Sequence, residues 1–324
     1  MPQPRSHSEV VPGHIGEVRR RRRAAVLGDP SPAAPIIDRP PIRSVTGTVV
    51  EAGPELLVLR TNDSDHDHDH QEKRLWISSD TTAWYGGPAG MAAVRPGREV
   101  IVRTTADGLG ADRIWVDIVR VTGTIMVAAK GFVEVDAGRH RGRVRVAIPP
   151  QALSRVLVRH PRLEPGYLLD VIGIRSSSGP LALQPGTSQP GYRAGEGGSP
   201  KTTGTVSREL RGTATWYSGE GHGAAYPALD PEGQAGGCPD APTSCAGLPL
   251  LSHGSDLLVG NECAKRSATV TVTECGCTAA LYCDRCVECG TSRRGRIVEL
   301  TAKSFVDLGG ELENGCFNAT VTVG

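Results

Sequence analysis

The first 237 residues of this 324-residue chain contain no cysteine, and aromatic side chains make up only 4% of the whole. The chain also lacks an apolar run of the roughly 18 or more residues that a membrane-spanning helix needs, so no transmembrane segment is predicted. Its formal net charge is +1, which gives no global attraction to nucleic acid or to an anionic membrane surface. The function must therefore be sought in local motifs.

The nine cysteines are confined to the last part of the chain, at Cys238, Cys245, Cys263, Cys275, Cys277, Cys283, Cys286, Cys289 and Cys316. This density is typical of an exported domain braced by disulfides, each worth roughly 2–4 kcal/mol. Because the number is odd, at least one thiol is predicted to remain outside the intramolecular pairs. The spacing also contains two overlapping Cys-x-x-Cys steps, so a zinc site is the alternative interpretation.

Export is expected, although the N-terminal sequence fits it incompletely. The run "EVRRRRRAAVLG" resembles the charged region of a signal peptide, but the proline-rich "DPSPAAPIIDRPPIRS" follows where an apolar segment should stand. We expect an extracellular or cell-envelope protein, with an intracellular metal-binding protein as the alternative. Residues 1–43 show no sustained hydrophobic period, and we interpret them as a disordered arm.

From residue 44 onward the composition favours an all-β protein. The chain has 41 glycines and 24 prolines, and short alternating segments such as "VTGTVVEAG" and "GREVIVRTT" are bounded by turn residues. Five such segments are typical of a small OB-like barrel, and they resemble a family of small bacterial β-barrel domains of unknown function. "TGTV" at Thr46 recurs as "TGTI" at Thr122, which predicts two tandem OB-like barrels, residues 44–121 and 122–186. A flexible linker, residues 187–209, would follow.

An alternating Asp-His segment interrupts the first predicted barrel. In "NDSDHDHDHQE", His66, His68 and His70 would lie on one side of an extended loop. Imidazole and carboxylate are suitable ligands for a divalent transition metal. The alternative is a solvated surface loop with no specific metal site, because no buried partner is evident to orient the rings.

Residues 210–324 carry a resemblance to a known fold. The segments are "GTATWYSGEGHGAA", "VTVTECGC" and "RIVELTAKSFVDLGGELENG". Together they resemble the six-stranded double-psi β-barrel of rare-lipoprotein-A-like, expansin-like and barwin-like proteins. The resemblance implies a shallow polysaccharide groove with Thr215, Glu274 and Glu299 at the active-site positions. The relatives use disulfides. Cys238 with Cys245, and Cys263 or Cys316 with a loop cysteine, are candidate pairs here, and the sequence leaves the connectivity open.

The predicted catalytic residues depart from the family pattern. The relatives have Asp where this chain has Glu274 and Glu299, and each extra methylene moves a carboxyl outward by about 1.5 Å. Cleavage of a glycosidic bond needs a carboxylic acid to protonate the leaving oxygen. We therefore predict Glu299 as the acid, Glu274 as its electrostatic or general-base partner and Thr215 as a positioning hydroxyl, as in a lytic transglycosylase.

Three aromatic rings of the same domain, Trp216, Tyr217 and Tyr226, are candidates for stacking on sugar rings. The alternative is that they pack the barrel end. Peptidoglycan or a related wall polysaccharide is the predicted partner, and no cofactor is predicted. A non-catalytic carbohydrate-binding module is the main alternative function, in which the two glutamates only accept backbone hydrogen bonds.

Overall fold

The computed structural model describes residues 42–61, 71–187, 191, 193–194, 209–229 and 247–323. Most of the predicted arm and linker, the three histidines His66, His68 and His70, and the pair Cys238 and Cys245 lie outside the described residues. The described chain is all-β, as predicted, with two closed barrels and one further sheet. Within the described ranges, no helix has the length and apolarity required to span a membrane.

The first unit is a seven-stranded sheet in the order β3-β2-β1-β6-β7-β4-β5. Its strands are β1 (Ser44–Ala52), β2 (Leu56–Thr61), β3 (Glu72–Trp76), β4 (Thr82–Trp84), β5 (Pro88–Ala89), β6 (Glu99–Thr104) and β7 (Ala111–Val116). Their buried apolar side chains, such as Leu57, Leu75, Val102 and Ile114, form one core.

The first unit differs from the predicted barrel because its sheet does not close among the described residues. The edge strand β3 pairs with β2, and beyond that a single bridge joins Trp76 to Gly110 at the start of β7. One bridge cannot continue a ladder, so the sheet curls around its core without completing the ring.

The second unit is a closed five-stranded barrel in the order β10-β12-β11-β8-β9. It comprises β8 (Ile118–Ala129), β9 (Phe132–Asp136), β10 (Arg143–Ala147), α1 (Pro150–Leu157), β11 (Leu168–Ser176) and β12 (Gly179–Pro185). The chain passes from the first unit to the second at Asp117, which has a φ of 49°, so the boundary lies a few residues before the predicted one. In the predicted linker, Ala194 donates a backbone hydrogen bond to Gly166 at 2.8 Å.

The repeated sequence motif has a common structural basis in both units. Gly47 pairs with Val100, and Gly123 pairs with Leu169. A Cβ on Gly47 would lie 2.4 Å from the carbonyl oxygen of Arg60, and one on Gly123 would lie 2.1 Å from a carbonyl oxygen of the neighbouring strand. Only glycine fits so close a backbone approach, which explains why the same residue occurs in both "TGT" motifs.

The third unit is a closed six-stranded barrel in the order β13-β17-β14-β16-β15-β18. It comprises β13 (Glu209–Tyr217), β14 (Ala224–Tyr226), β15 (Asp256–Asn261), β16 (Arg266–Cys275), β17 (Arg296–Thr301), α2 (Ala302–Asp307) and β18 (Cys316–Val323). Strands β13 and β17 are parallel, as are β14 and β16, and the remaining pairs are antiparallel. Two parallel crossovers in a six-stranded barrel agree with the predicted double-psi arrangement.

The three units share packed surfaces. Trp84 and Trp115 of the first unit and Ile172 of the second belong to the same apolar cluster as Trp216 and Phe305 of the third. Burying so much apolar surface between the units stabilises their association. The predicted barrels are therefore not separated modules in this structure.

Four buried charged side chains join the second and third barrels. Arg120 of β8 donates to Asp170 of β11 through Nε at 2.9 Å and through Nη2 at 2.7 Å. Arg296 of β17 donates to the same carboxylate and, at 2.9 Å, to Asp284 of the third unit. Arg120, Asp170 and Arg296 are fully buried, so each charge depends on its partners.

Tyr282 makes a second polar contact across this interface. It is buried in the third unit, and its hydroxyl donates to the carbonyl of Leu169 in β11 at 2.5 Å. Tyr282→Phe leaves that carbonyl without this donor, and we expect the free energy of unfolding to fall by about 1–2 kcal/mol. Urea denaturation measures this; Tyr85→Phe, which removes a half-buried acceptor for Arg98, is the control with a smaller expected effect.

Candidate functional site

The three predicted catalytic residues lie in one row across four neighbouring strands of the third barrel. Thr215 of β13 is opposite Glu299 of β17. Ala225 of β14 is opposite Glu299 on one side and opposite Glu274 of β16 on the other. The topology thus brings together side chains that are up to 84 positions apart in sequence. We call Thr215, Glu299 and Glu274 the catalytic row.

An arginine from the second barrel lies between the two carboxylates. Nη2 of Arg141 is 2.5 Å from Oε1 of Glu274 and 3.1 Å from Oε2 of Glu299. Burial of Arg141 opposes its charge, but Coulomb attraction to Glu299 and Glu274 outweighs burial and raises the pKa of the guanidinium. Both carboxylates therefore face a permanent cation.

The guanidinium also stacks on an aromatic ring. The central carbon of Arg141 lies 4.0 Å from the ring centroid of Tyr217, in the range of a cation–π contact. Burial, together with the nearby charge of Glu274, raises the pKa of Tyr217 to about 12. The phenol is therefore protonated near neutral pH and is unsuited to act as a base.

Two buried polar atoms of the catalytic row have no hydrogen-bond partner among the described residues. They are Oγ1 of Thr215 and Oε1 of Glu299, and both side chains are fully buried. Nη1 of Arg296 lies 3.9 Å from this Oε1, which is too far for a hydrogen bond. A buried unpaired polar group costs about 1–3 kcal/mol, so this arrangement is destabilising as it stands.

The predicted sugar-stacking rings differ in their positions. Trp216 and Tyr226 are fully buried. Trp216 donates to the carbonyl of Leu312 at 2.8 Å and Tyr226 donates to that of Pro249 at 3.1 Å. A ring buried in this way has no face for a sugar, so the structure favours the packing interpretation for these two. Tyr217 is also buried, and its ring contacts Arg141 beside the catalytic row.

The cysteine cluster is bonded through sulfur. The structure joins Cys263 to Cys289, Cys275 to Cys277 and Cys286 to Cys316. Cys283 is also disulfide-bonded, and no cysteine of the described residues is free. The first and third bonds each join one of the candidates Cys263 and Cys316 to a loop cysteine.

The structure gives no support to the zinc alternative for the cysteine cluster. Within the ranges described, no group of three or more histidine, cysteine or acidic side chains is placed to hold a metal ion. Cysteines that are bonded to one another cannot serve as thiolate ligands. The histidine prediction concerns His66, His68 and His70, which lie outside those ranges.

Sequence reasoning did not single out Arg141. It lies in "AGRHRGR", where three arginines and a histidine look like a solvated hairpin turn, and no local pattern distinguishes it from Arg139. Only the docking of one barrel on another brings it to the catalytic row. Arg120, Asp170 and Arg296 were also not identified.

Comparison of the chain with models of known protein families gives no match, and comparison with curated protein sequences gives none either.

Proposed function

We propose that the protein binds and cleaves a cell-wall polysaccharide at the catalytic row of its third barrel. The observation that carries this proposal is the contiguous row itself, in which buried Thr215 and Glu299 keep polar atoms unpaired. Natural structures pair nearly all such atoms, and exceptions need an explanation. In this proposal a substrate hydroxyl or glycosidic oxygen pairs with these atoms.

The chemistry assigns separate roles to the two carboxyl groups. Glu299 is fully buried, whereas the side chain of Glu274 is 20% exposed. Glu299, in its protonated form, donates to the glycosidic oxygen as the bond from that oxygen to the anomeric carbon breaks. A hydroxyl of the substrate then attacks the anomeric carbon and gives its proton to the carboxylate of Glu274. Thr215 orients the substrate.

The separation of the carboxyl groups limits the geometry of the reaction. The two oxygens that contact Nη2 of Arg141, at 2.5 and 3.1 Å, are separated by at most the sum of these distances, 5.6 Å. Glycosidases that place a water between their carboxyl groups keep them roughly 6.5–9.5 Å apart. The shorter distance argues against the geometry in which a water is activated between the two carboxyl groups, and it is compatible with attack by a hydroxyl of the substrate.

The disulfides support the proposed location. Bonds such as Cys286–Cys316 form and persist in oxidising compartments. They agree with an extracellular or cell-envelope protein, where a wall polysaccharide is the available substrate. In this proposal the second barrel contributes to the site through Arg141.

The test is incubation of the full chain and of its Glu299→Gln variant with purified sacculi. Glu299→Gln removes the proton donor but keeps the shape, so we expect release of soluble muropeptides to fall by about 10²–10⁴-fold while co-sedimentation with sacculi changes little. Glu262→Gln, on a partly exposed glutamate that pairs with Arg211, is the matched control and should retain release.

A non-catalytic binding module is the second candidate, favoured by one observation. Both glutamates already pair with Arg141, which leaves them as structural ion pairs. This candidate predicts co-sedimentation with sacculi and no release by any variant, including Arg141→Ala. Absence of both co-sedimentation and release would contradict both candidates.

A further inference from the structure

The loop of residues 137–142, between β9 and β10 of the second barrel, covers the catalytic row of the third. We call it the covering loop. Oγ1 of Thr278, in the third unit, donates to the carbonyl of Ala137 at 2.9 Å, and Arg141 contacts Glu274, Glu299 and Tyr217. One side-chain hydrogen bond and one arginine therefore dock this loop.

Little space remains beneath the loop. The cavity bounded by residues 137–141, Cys275, Cys277, Thr278 and Glu299 has a volume of about 10 Å³, which is enough for about one water molecule. Sites that hold small molecules have roughly 300–1,000 Å³. A sugar unit cannot reach Glu299 along this side while the loop stays in place.

The chemistry of the blockage is specific. Arg141 donates to one oxygen of each carboxylate, Oε1 of Glu274 and Oε2 of Glu299. The arginine thus lies between the two carboxylates, where the glycosidic oxygen would have to enter. A loop that merely walled the groove would contact its rim and leave the carboxylates open.

We propose that the covering loop is an intramolecular inhibitor, with Arg141 as the side chain that closes the site; this inference rests on the proposed function. The site opens when the loop moves, not when the barrels separate, because the fully buried ion pairs of Arg120 and Arg296 with Asp170 hold the barrels together. Gly138 and Gly142, at φ of 94° and 65°, lie on either side of Arg141, and glycine accommodates such backbone changes most easily.

Three variants of the full chain separate closure from other roles. Arg141→Ala removes the closing side chain. Arg139→Ala is the matched control, since Arg139 is an exposed arginine of the same loop without the contacts to the glutamates. In the third variant Asn-Gly replaces residues 137–142; a two-residue turn of this type connects paired strands, and Asp136 and Arg143 are already paired. This variant keeps the test valid if Arg141→Ala does not fold.

Two measurements are made on each variant. The first is labelling of Glu274 and Glu299 with a water-soluble carbodiimide and an amine, read by peptide mass spectrometry, with exposed carboxyl groups as internal standards. The second is the rate of muropeptide release from sacculi. We expect Arg141→Ala and the shortened loop to raise both the labelling rate and the release at least tenfold, and Arg139→Ala to leave both within twofold of wild type.

The outcomes distinguish the two proposals. If wild type releases muropeptides and opening the loop does not increase release, or lowers it, inhibition is overturned and the proposed function stands. If the glutamates become labelled in Arg141→Ala and still no variant releases muropeptides, the proposed function is overturned, and inhibition with it. Increased labelling together with increased release supports both.

Discussion

Replacing Asp170 by asparagine is expected to lower the free energy of unfolding by about 3–5 kcal/mol, the usual effect of breaking a buried ion pair by removing one partner. The variant keeps the side-chain volume but leaves Arg120 and Arg296, both fully buried, facing each other without their shared carboxylate. Because Arg120 belongs to the second barrel and Arg296 to the third, both barrels should lose stability together. Urea denaturation monitored by tryptophan fluorescence measures the change.

The stability that Asp170 contributes should depend on pH. Burial opposes the charge of Asp170, but Arg120 and Arg296 outweigh it and hold the pKa of its carboxyl well below the usual range. A depressed native pKa means that the unfolded state binds the proton more readily, so the stabilisation is complete above the unfolded value of about 3.9 and is lost as pH falls below it. The difference between wild type and Asp170→Asn should therefore be constant near neutral pH and shrink below about pH 4.

Asp256→Asn is the control for this prediction. Asp256 accepts a hydrogen bond from Thr271 at an exposed position, where loss of charge should change the free energy of unfolding by less than about 0.5 kcal/mol. An equally small effect of Asp170→Asn would show that the buried charges contribute nothing to the docking of the barrels.

Much of the fold is accessible from sequence because its signals are local. Alternating apolar residues and turn glycines predict the strands, and the repeated "TGT" motif predicts a shared arrangement that the register of Gly47 and Gly123 bears out. Closure of the first sheet is different. Closure depends on pairing between β3 and β7, which are far apart in sequence. A single bridge at Trp76 joins them, and tertiary packing, not a local sequence signal, decides whether a full ladder forms.

The residues of the site also divide into those that a local sequence motif predicts and those that only tertiary packing brings there. Thr215, Glu274 and Glu299 each follow from a motif on one strand, whereas Arg141 reaches them only because two barrels dock. Asp170 does leave a trace in sequence: it is the one charge within the apolar segment "YLLDVIGI", and a charge in such a strand needs a buried partner. The sequence does not say which partner, since that depends on the contact with the third barrel.

The disulfide between Cys286 and Cys316 should contribute more to stability than that between Cys275 and Cys277. Cross-linking stabilises mainly by restricting the unfolded chain, and the effect grows with the enclosed length. The first bond joins residues 30 positions apart and the second residues 2 positions apart. From this dependence we expect the free energy of unfolding to fall by about 3–4 kcal/mol for Cys286→Ala with Cys316→Ala, and by about 1–2 kcal/mol for Cys275→Ala with Cys277→Ala.

The two double variants are matched controls for each other, because each removes the same number of sulfur atoms from the third unit. The Cys286–Cys316 disulfide, which encloses the longer segment, also ties the residues before β17 to β18. Cys286 is 2% exposed, and its backbone N–H donates to Oγ1 of Thr213 at 2.9 Å. Its loss should therefore loosen the end of the barrel that carries β13. Equal destabilisation by the two double variants in urea would contradict an origin in chain entropy and would place the stabilisation in the local packing of the sulfur atoms.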